Sequence, residues 1–494
     1  MFERIITRFQ QRKIRLKIDQ LLQSGIAEKY KNNSPVDFSF SLFDFVYAIG
    51  TCRTVASTKA NKFSLALDFL GIIETDSNEL RVLINHDETI EQKQDISKYI
   101  GEGLSLVIAE RLYNLEKSTI SRIKRRRNES KPDFMGFTPL LKVVWEAKGS
   151  TGTIRQDEIA HAKEQKENEV ADIAFVSLAT LKSGSMTEVS LEDPPTLPLH
   201  GKDLKRELSK VMHYVNTFNF IGQAELSRYL NVNTFNFIAA AELSRYFKLL
   251  GKRLERDRDF PEFMEKFQLF EKIRNESIKV SIRGKTYLGN VERVGDSSFL
   301  YVGFDEKLLS IQDFLNFSDY EEEILYEHEE NTFRITKDGI CFGYLRNLGK
   351  LRDLGFMGEI DACKIPYYRD TLSMRDLDNM LHFQLVEHIS YLFEREGFDV
   401  KKEVFEGNRR YDMIVSKEGK KFIVEVKKDV IIKSFEQIKG YQDANAALLI
   451  TTMNVSDEDI RYAADLNIVI IDRKSLKAII ENQKKISDLL KKYS

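Results

Sequence analysis

Hydrophobic residues recur with the spacing of an amphipathic helix in three segments near the start of the chain. These segments are 1–30, 41–51 and 62–73, and residues 74–85 follow them with the pattern of a turn and a strand. Apolar residues at i, i+3, i+4 and i+7 predict a helix because they form one apolar stripe on a 3.6-residue repeat. We therefore predict that residues 1–95 form a helical, winged-helix-like region.

Two later segments alternate between helical and strand patterns. Residues 96–190 and 375–482 each contain an amphipathic helical pattern, short apolar runs separated by turn residues, and a further helix and strand. Such alternation predicts helices packed on a sheet. The predicted fold class is α/β, or α+β for the whole chain, with two α/β cores separated by a helical and small β middle region.

The middle region contains a tandem repeat. Its proline-rich start predicts a linker, and VNTFNFIGQAELSRYL (215–230) then returns as VNTFNFIAAAELSRYF (232–247), identical at thirteen of sixteen positions. We expect residues 191–275 to form a linker and a helical domain, with two helical units joined by a turn at Asn231. Alternating apolar residues punctuated by Gly-Asp predict a small β domain over residues 276–350.

Composition limits the partners and the compartment. A net charge of −2 over 494 residues provides no global positive field, so a nucleic acid would have to meet local basic patches. The run SRIKRRRNESK (121–131) is such a patch; its alternative interpretation is a solvated loop. The residues predicted to contact phosphates are Arg125, Arg126 and Arg127. Three widely spaced cysteines and no apolar run near ~20 residues predict a cytoplasmic protein without disulfides or a membrane span.

The pattern D-x12-E-x-K occurs twice, each time where the sequence predicts a β-hairpin. The two copies lie in KPDFMGFTPLLKVVWEAKG (131–149) and RRYDMIVSKEGKKFIVEVKKD (409–429). In the second copy, Glu425 and Lys427 lie on one face of a strand, since side chains alternate with a period of two. The hairpin turn brings Asp412 beside Glu425. The corresponding residues of the first copy are Asp133, Glu146 and Lys148.

Two facing carboxylates predict a divalent metal site, because they repel each other unless a cation lies between them. Ligation by oxygen alone suits Mg²⁺ or Mn²⁺. Such an ion polarises a phosphoryl oxygen and lowers the pKa of an attacking water. The neighbouring lysine orients that water or stabilises the charge of the transition state. The pattern therefore predicts hydrolysis of phosphodiester bonds, with the metal ligands Asp412, Glu425, Asp133 and Glu146.

Both copies resemble the PD-(D/E)xK nuclease superfamily, and the first retains the literal Pro132-Asp133 before Glu146-Ala147-Lys148. The second copy, across residues 383–482, resembles the Mrr-type restriction endonucleases. The most specific part of that resemblance is ALLITTMNVSDEDIRYAADLNIVIIDRKSLKAII. The resemblance implies two restriction-endonuclease-like cores, with Lys427 and Lys148 as the catalytic lysines.

The resemblance also implies supporting residues. In the second core these are Glu387, as a helical acid, and the pair Gln437 and Tyr441, which would position the scissile strand. In the first core Glu102 is favoured as the helical acid over Glu110. Gln156 is the counterpart of Gln437, although Ala160 stands where the tyrosine would be. No His/Cys spacing for zinc is present, and His382 and His388 are interpreted as structural.

These observations predict a Mg²⁺- or Mn²⁺-dependent DNA endonuclease of prokaryotic restriction or antiphage defence. Two alternatives stay open: a DNA-binding scaffold with one or both cores inactive, and a nuclease of repair or recombination. No P-loop is present, so ATP-driven translocation would need a separate partner protein. Two cores in one chain predict that each cuts one strand, and a homo-oligomer that uses only the second core is the alternative.

Overall fold

The computed structural model divides the chain into two units. The first contains residues 1–85 and 93–367, and the second contains residues 86–92 and 368–494. The residues that the structure describes are 6, 11–19, 26–27, 30, 35–52, 63, 71–74, 77–84, 90–123, 131–167, 169, 171–192, 205–232, 262–309, 317–356, 362–406, 409–428 and 444–491.

A seven-stranded mixed sheet forms part of the first unit. Its strands are β1 (Gln11–Ile18), β2 (Val36–Ser41), β3 (Ser121–Arg122), β4 (Phe134–Phe137), β5 (Lys142–Ser150), β6 (Ile173–Thr180) and β7 (Glu188–Glu192). They lie in the order β2-β1-β7-β6-β5-β4-β3. The pairs β1/β7 and β5/β6 are parallel and the other pairs are antiparallel.

Strand β1 shows that the helix predicted across residues 1–30 is wrong for Gln11–Ile18. Exposed and buried residues alternate strictly along this strand, with Ile14, Leu16 and Ile18 buried. Eight residues of mixed basic and apolar type fit either period, and pairing with β2 and β7 selects the period of two. The described strands on either side of residue 95 thus share one sheet.

Six helices lie wholly or mostly in the described part of the first unit. They are α1 (Leu42–Cys52), α2 (Ile90–Tyr113), α3 (Gln156–Glu167), α4 (Lys205–Phe220), α5 (Ala224–Val232) and α6 (Glu262–Glu276). The first copy of the repeat spans the end of α4 and most of α5. Its turn falls at Gly222, whose φ of 80° suits a residue without a side chain. Because α5 continues to Val232, the turn predicted at Asn231 is wrong, and the rest of the second copy lies outside the described residues.

A six-stranded antiparallel sheet follows in the first unit. Its strands are β8 (Ile278–Ile282), β9 (Lys285–Gly295), β10 (Ser298–Asp305), β11 (Ile324–His328), β12 (Asn331–Ile335) and β13 (Ile340–Leu345). They lie in the order β11-β12-β13-β10-β9-β8. One face covers a core of aliphatic and aromatic residues that includes Tyr287, Tyr301 and Phe333. The alternating pattern of residues 277–304 falls on β8, β9 and β10.

The second unit contains a five-stranded sheet in the order β14-β15-β16-β17-β18. The strands are β14 (Asp399–Glu406), β15 (Arg409–Lys417), β16 (Lys420–Lys427), β17 (Ala446–Thr451) and β18 (Ile468–Ile471), and the helices are α7 (Met374–Asn379), α8 (His382–Arg395), α9 (Asp457–Asp465), α10 (Arg473–Ile480) and α11 (Ile486–Leu490). Strands β14 to β16 are antiparallel, whereas β16 to β18 are parallel. Ser456 and Asp472 cap α9 and α10 through backbone N–H groups.

Helices packed with three sheets confirm the predicted fold class, α/β within the cores and α+β overall. Within the residues that the structure describes, no helix has the length and apolarity needed to cross a membrane. The other predicted domain boundaries stay predictions.

Candidate active site

The predicted β15–β16 hairpin places the acidic residues of the second unit together. Met413 pairs with Val424 in the antiparallel ladder, so the next position of each strand holds Asp412 and Glu425. Lys427 lies two residues beyond Glu425 in the same strand, with its Nζ 2.9 Å from the Glu425 Oε2. The three residues of the second D-x12-E-x-K copy therefore meet at one end of the hairpin.

Two donors hold one carboxylate oxygen of Asp412. Its Oδ2 accepts a hydrogen bond from the Val426 N–H at 2.8 Å and lies 3.4 Å from the Nε2 of His382. The same Nε2 lies 2.9 Å from the Val426 carbonyl oxygen. Both neighbours accept hydrogen bonds, so this Nε2 carries a hydrogen and donates. In the described residues no hydrogen bond uses the other oxygen of Asp412, Oδ1.

The two carboxylates have opposite pKa shifts. Burial and the charge of Asp412 raise the pKa of Glu425 to about 7, against an ordinary value of 4.5. Burial alone would also raise the pKa of Asp412, but the hydrogen bonds and charge of His382, with Lys427 and the Val426 N–H, lower it overall. The pair therefore holds a negative charge on Asp412 and binds a proton on Glu425 near neutral pH.

This pair fits a divalent cation. Mg²⁺ binds through one or two carboxylates and completes its shell with water and substrate phosphate, so two protein ligands suffice. Burial and the neighbouring charge of Asp412 raise the pKa of Glu425, so a cation between the two carboxylates would stabilise their fully ionised form. In the part of the chain that the structure describes, no group of three or more His, Cys, Asp or Glu residues is arranged to hold a metal.

The first unit repeats the geometry of this hairpin. Phe134 pairs with Trp145, so Asp133 and Glu146 take the next positions. The Oδ2 of Asp133 accepts a hydrogen bond from the Ala147 N–H at 3.1 Å, and the Nζ of Lys148 donates to the Glu146 Oε1 at 2.7 Å. In both units the strand that carries the glutamate continues the sheet through a parallel neighbour.

Two glycines bring the helical acid of the first unit to this hairpin. A Cβ on Gly101 of α2 would lie 2.9 Å from the Cα of Gly149 in β5, and a Cβ on Gly149 would lie 1.8 Å from the Ser97 carbonyl oxygen. The helix and the strand therefore approach backbone to backbone. Glu102 follows Gly101 and is buried close to Asp133. Burial is the main cause that raises the pKa of Glu102, and the charge of Asp133 raises it further.

Arg122 distinguishes the first unit from the second. Its Nη2 lies 2.5 Å from the Glu102 Oε2, and its Nη1 lies 3.6 Å from the Asp133 Oδ1. The guanidinium carbon lies 4.7 Å from the centre of the Phe134 ring. The positive charge of Arg122, a residue of β3, thus lies against the carboxylates of Glu102 and Asp133. Arg122 belongs to the basic run 121–131, for which DNA contact and a solvated loop were the two interpretations, and the structure turns its side chain towards the acids.

The second unit has a different arrangement at the matching positions. Arg122 pairs with the residue after Asp133, and Lys402 pairs with Met413, the residue after Asp412. Lys402 donates to Glu387 at 2.7 Å in a pair that is about 40% exposed. The described contacts of Glu387 do not include Asp412. The helix residue that reaches Asp412 is His382, which the sequence analysis treated as structural.

The remaining candidate residues lie in different environments or outside the described part of the chain. Glu110 is buried beside Lys117 and Glu323, so the structure brings Glu102 and not Glu110 to Asp133. Gln165 of α3 accepts a hydrogen bond from the Lys148 Nζ at 3.3 Å and was not among the predicted residues; Gln156 was predicted only as the counterpart of Gln437. His388 is fully buried, and burial lowers its pKa to about 3. The predicted residues outside the described part of the chain are Gln437, Tyr441, Arg125, Arg126 and Arg127.

Comparison with known proteins confirms the resemblance in the second unit. Residues 377–480 match the family model Mrr_cat, described as a restriction endonuclease. This range contains the hairpin with Asp412, Glu425 and Lys427, so the match supports a restriction-type nuclease domain there. A search of the curated proteins gives no match.

Two solved structures show weak similarity. One is the crystal structure of a protein of unknown function, AF1548, with 20% identity over 22% of this chain and 65% of that one, and a TM-score of 0.18. The other is protein VC1899 from Vibrio cholerae, with 15% identity over 45% of this chain and 50% of that one, and a TM-score of 0.18. The chain thus spans less than two thirds of either structure.

Proposed function

We propose that the second unit is a metal-dependent DNA endonuclease that hydrolyses phosphodiester bonds. The observation that carries the proposal is the buried pair of Asp412 and Glu425, with Lys427 bonded to Glu425, inside the range that matches a restriction endonuclease. Prokaryotic restriction or antiphage defence in the cytoplasm is the proposed setting, and it rests on the family match.

The protein residues have separate tasks in this proposal. Asp412 and Glu425 would hold Mg²⁺ or Mn²⁺, and such an ion would supply Lewis-acid activation of a water molecule and of the scissile phosphate. Lys427 lies beside Glu425 at the rim of the pair and supplies positive charge to the phosphate during bond cleavage. His382 and the Val426 N–H keep Asp412 Oδ2 in place. These contacts therefore fix the orientation of the whole carboxylate group.

The first test is plasmid cleavage with controlled metal. We expect supercoiled DNA to be cut with Mg²⁺ or Mn²⁺, and cutting to stop in excess EDTA and not to return with Zn²⁺, because two carboxylates form an oxygen-only site. Glu425→Gln keeps the shape of the side chain but removes the charge, and should abolish cutting. Cleavage that persists in EDTA would exclude this mechanism.

Metal binding should release a proton near neutral pH. Glu425 holds a proton below its raised pKa of about 7, and the metal needs the carboxylate form. We expect release of about one proton per Mn²⁺ at pH 6 and much less at pH 8, with tighter binding as pH rises. Titration calorimetry in two buffers of different ionisation enthalpy measures this number, and buffer-independent heats at pH 6 would contradict the expectation.

The raised pKa of Glu425 also determines how the free energy of unfolding of the metal-free protein varies with pH. The pKa of Glu425 is higher in the folded protein than in the unfolded chain, so its stabilising contribution is fully present below about pH 4.5. That contribution is lost as pH rises through about 7. Bound metal should reverse this trend, since it stabilises the ionised form.

His382 is expected to act as a positioning residue. His382→Ala removes the donor to Asp412 and should lower Mn²⁺ affinity and cleavage by about 10–100-fold, the usual effect of losing a residue that orients a metal ligand. His382→Gln places an amide N–H near the Nε2 position and should recover most of the loss. Equal loss in both variants, with the fold intact by circular dichroism, would argue against an orienting hydrogen bond.

A further inference from the structure

The two cores differ in the cation that faces their carboxylates. In the first unit the Arg122 guanidinium lies 2.5 Å from Glu102 and 3.6 Å from Asp133. In the second unit the corresponding Lys402 is 2.7 Å from Glu387. In the described residues, His382 and the Val426 N–H contact the Asp412 carboxylate, and both contact its Oδ2.

In the first unit, the two side-chain oxygens of Asp133 face different partners. The Oδ2 of Asp133 is held by the Ala147 N–H, as the Oδ2 of Asp412 is held by the Val426 N–H. The remaining oxygen, Oδ1, faces Arg122 in the first unit. A divalent ion at that oxygen would need direct contact at ~2.0–2.1 Å and would lie next to a fixed positive charge.

Arg122 is also held from its other side. Its guanidinium carbon lies 4.7 Å from the Phe134 ring centre, and its side chain is only 22% exposed. A partly buried guanidinium that faces an aromatic ring and two carboxylates is stabilised in place by each of these contacts. The residues of the first unit, in this arrangement, do not fit a metal ion.

We infer that Arg122 is the resident cation of the first core and takes the place of the divalent metal, so that this core does not hydrolyse DNA. The first core then keeps the fold and the D-x12-E-x-K residues of a nuclease while its acids serve an internal ion-pair network. This departs from the expectation that both cores cut, and it is independent of whether the second core does.

Mn²⁺ counting on the full chain tests this inference. The paramagnetic resonance signal of free Mn²⁺ gives the number of ions bound, without any need for cleavage. In a chain carrying Asp412→Asn and Glu425→Gln, which disables the second core, we expect no bound Mn²⁺. Adding Asp133→Asn should change nothing. One bound ion that disappears with Asp133→Asn would overturn the inference.

A matched variant tests the role of Arg122 directly. Arg122→Lys imitates the second core, because a lysine retains the positive charge and the pair with Glu102 but lacks the second N–H arm that reaches Asp133. In the disabled background it should bind one Mn²⁺ that Asp133→Asn removes. A folded Arg122→Lys chain that binds none would overturn the inference; if that variant fails to fold, the Asp133→Asn comparison above still decides.

The same counts separate this inference from the proposed function. The natural chain is expected to bind one Mn²⁺, and that ion should be lost with Asp412→Asn. Failure of the second core would appear as zero bound ions and no plasmid cleavage. Failure of the inference would appear as an ion that depends on Asp133.

Discussion

Replacing Lys427 with alanine should lower the rate of DNA cleavage by about 10²–10³-fold while DNA affinity changes only a few-fold. The Nζ of Lys427 lies 2.9 Å from the Glu425 Oε2, and its side chain is 26% exposed, so it can reach a bound phosphate. Its positive charge matters most when negative charge grows on the phosphate in the transition state. Single-turnover cleavage and filter binding at one salt concentration measure the two effects separately.

Lys428→Ala is the matched control for this change. Lys428 is the next residue of the chain, and its Nζ donates to the carbonyl oxygen of Asp378 at 3.3 Å. Both variants lose one lysine from the same short segment, so any general effect of charge on DNA binding should appear in both. An equal fall in affinity and rate for Lys427→Ala would instead make this lysine an anchor for the DNA backbone.

Lys117→Met should lower the free energy of unfolding of the first unit by about 3–5 kcal/mol. The Nζ of Lys117 is buried 3.8 Å from the Asp44 Oδ1 and 3.5 Å from the Glu323 Oε1. Burial alone would lower the pKa of Lys117, but Glu110, Glu323 and Asp44 raise it overall, so the lysine stays charged. Methionine fills a similar volume but removes the cation that the three carboxylates share. Arg111 still pairs with Asp44 and Arg334 with Glu323, so the loss falls most heavily on the buried Glu110.

The single tryptophan gives a local measurement of this effect. Trp145 is fully buried in the first unit and its ring stacks with those of Phe134 and Phe175 at centroid distances of 5.7 and 5.8 Å. Its fluorescence during denaturant unfolding reports on the first unit. The control Lys163→Met removes a pair with Glu192 that is about 40% exposed on both sides, and should change stability by no more than about 0.5 kcal/mol. Similar losses in both variants would show that the buried network is not the cause.

The hairpin residues were predictable because their neighbours are local in sequence. Asp412 and Glu425 lie thirteen positions apart on two strands joined by a tight turn, and period-two alternation fixes that Lys427 shares the face of Glu425. Ser456 and Asp472 are the N-caps of α9 and α10 in the second unit. Such caps are also local in sequence, because each side chain accepts a hydrogen bond from a backbone N–H three residues later.

Strand β1 shows where local reasoning fails. Its eight residues contain apolar positions compatible with a basic amphipathic helix, and the structure pairs them with β7, whose residues lie about 170 positions later. No local signal identifies such a partner. Hydrogen bonds of this kind form only when the sheet assembles, and they override a weak helical preference.

By itself, the sequence determined the two D-x12-E-x-K hairpins, the α/β class and the nuclease resemblance of the second core, since all depend on short-range patterns. Only the tertiary structure decided which cation faces each aspartate. Arg122 approaches Asp133 across the β3/β4 pair, and His382 approaches Asp412 from the start of α8. The physical reason is that Arg122 reaches Asp133 only when β3 pairs with β4, and His382 reaches Asp412 only when α8 packs on its sheet. The geometry of that pairing and packing determines whether the contact is an ion pair or an orienting hydrogen bond.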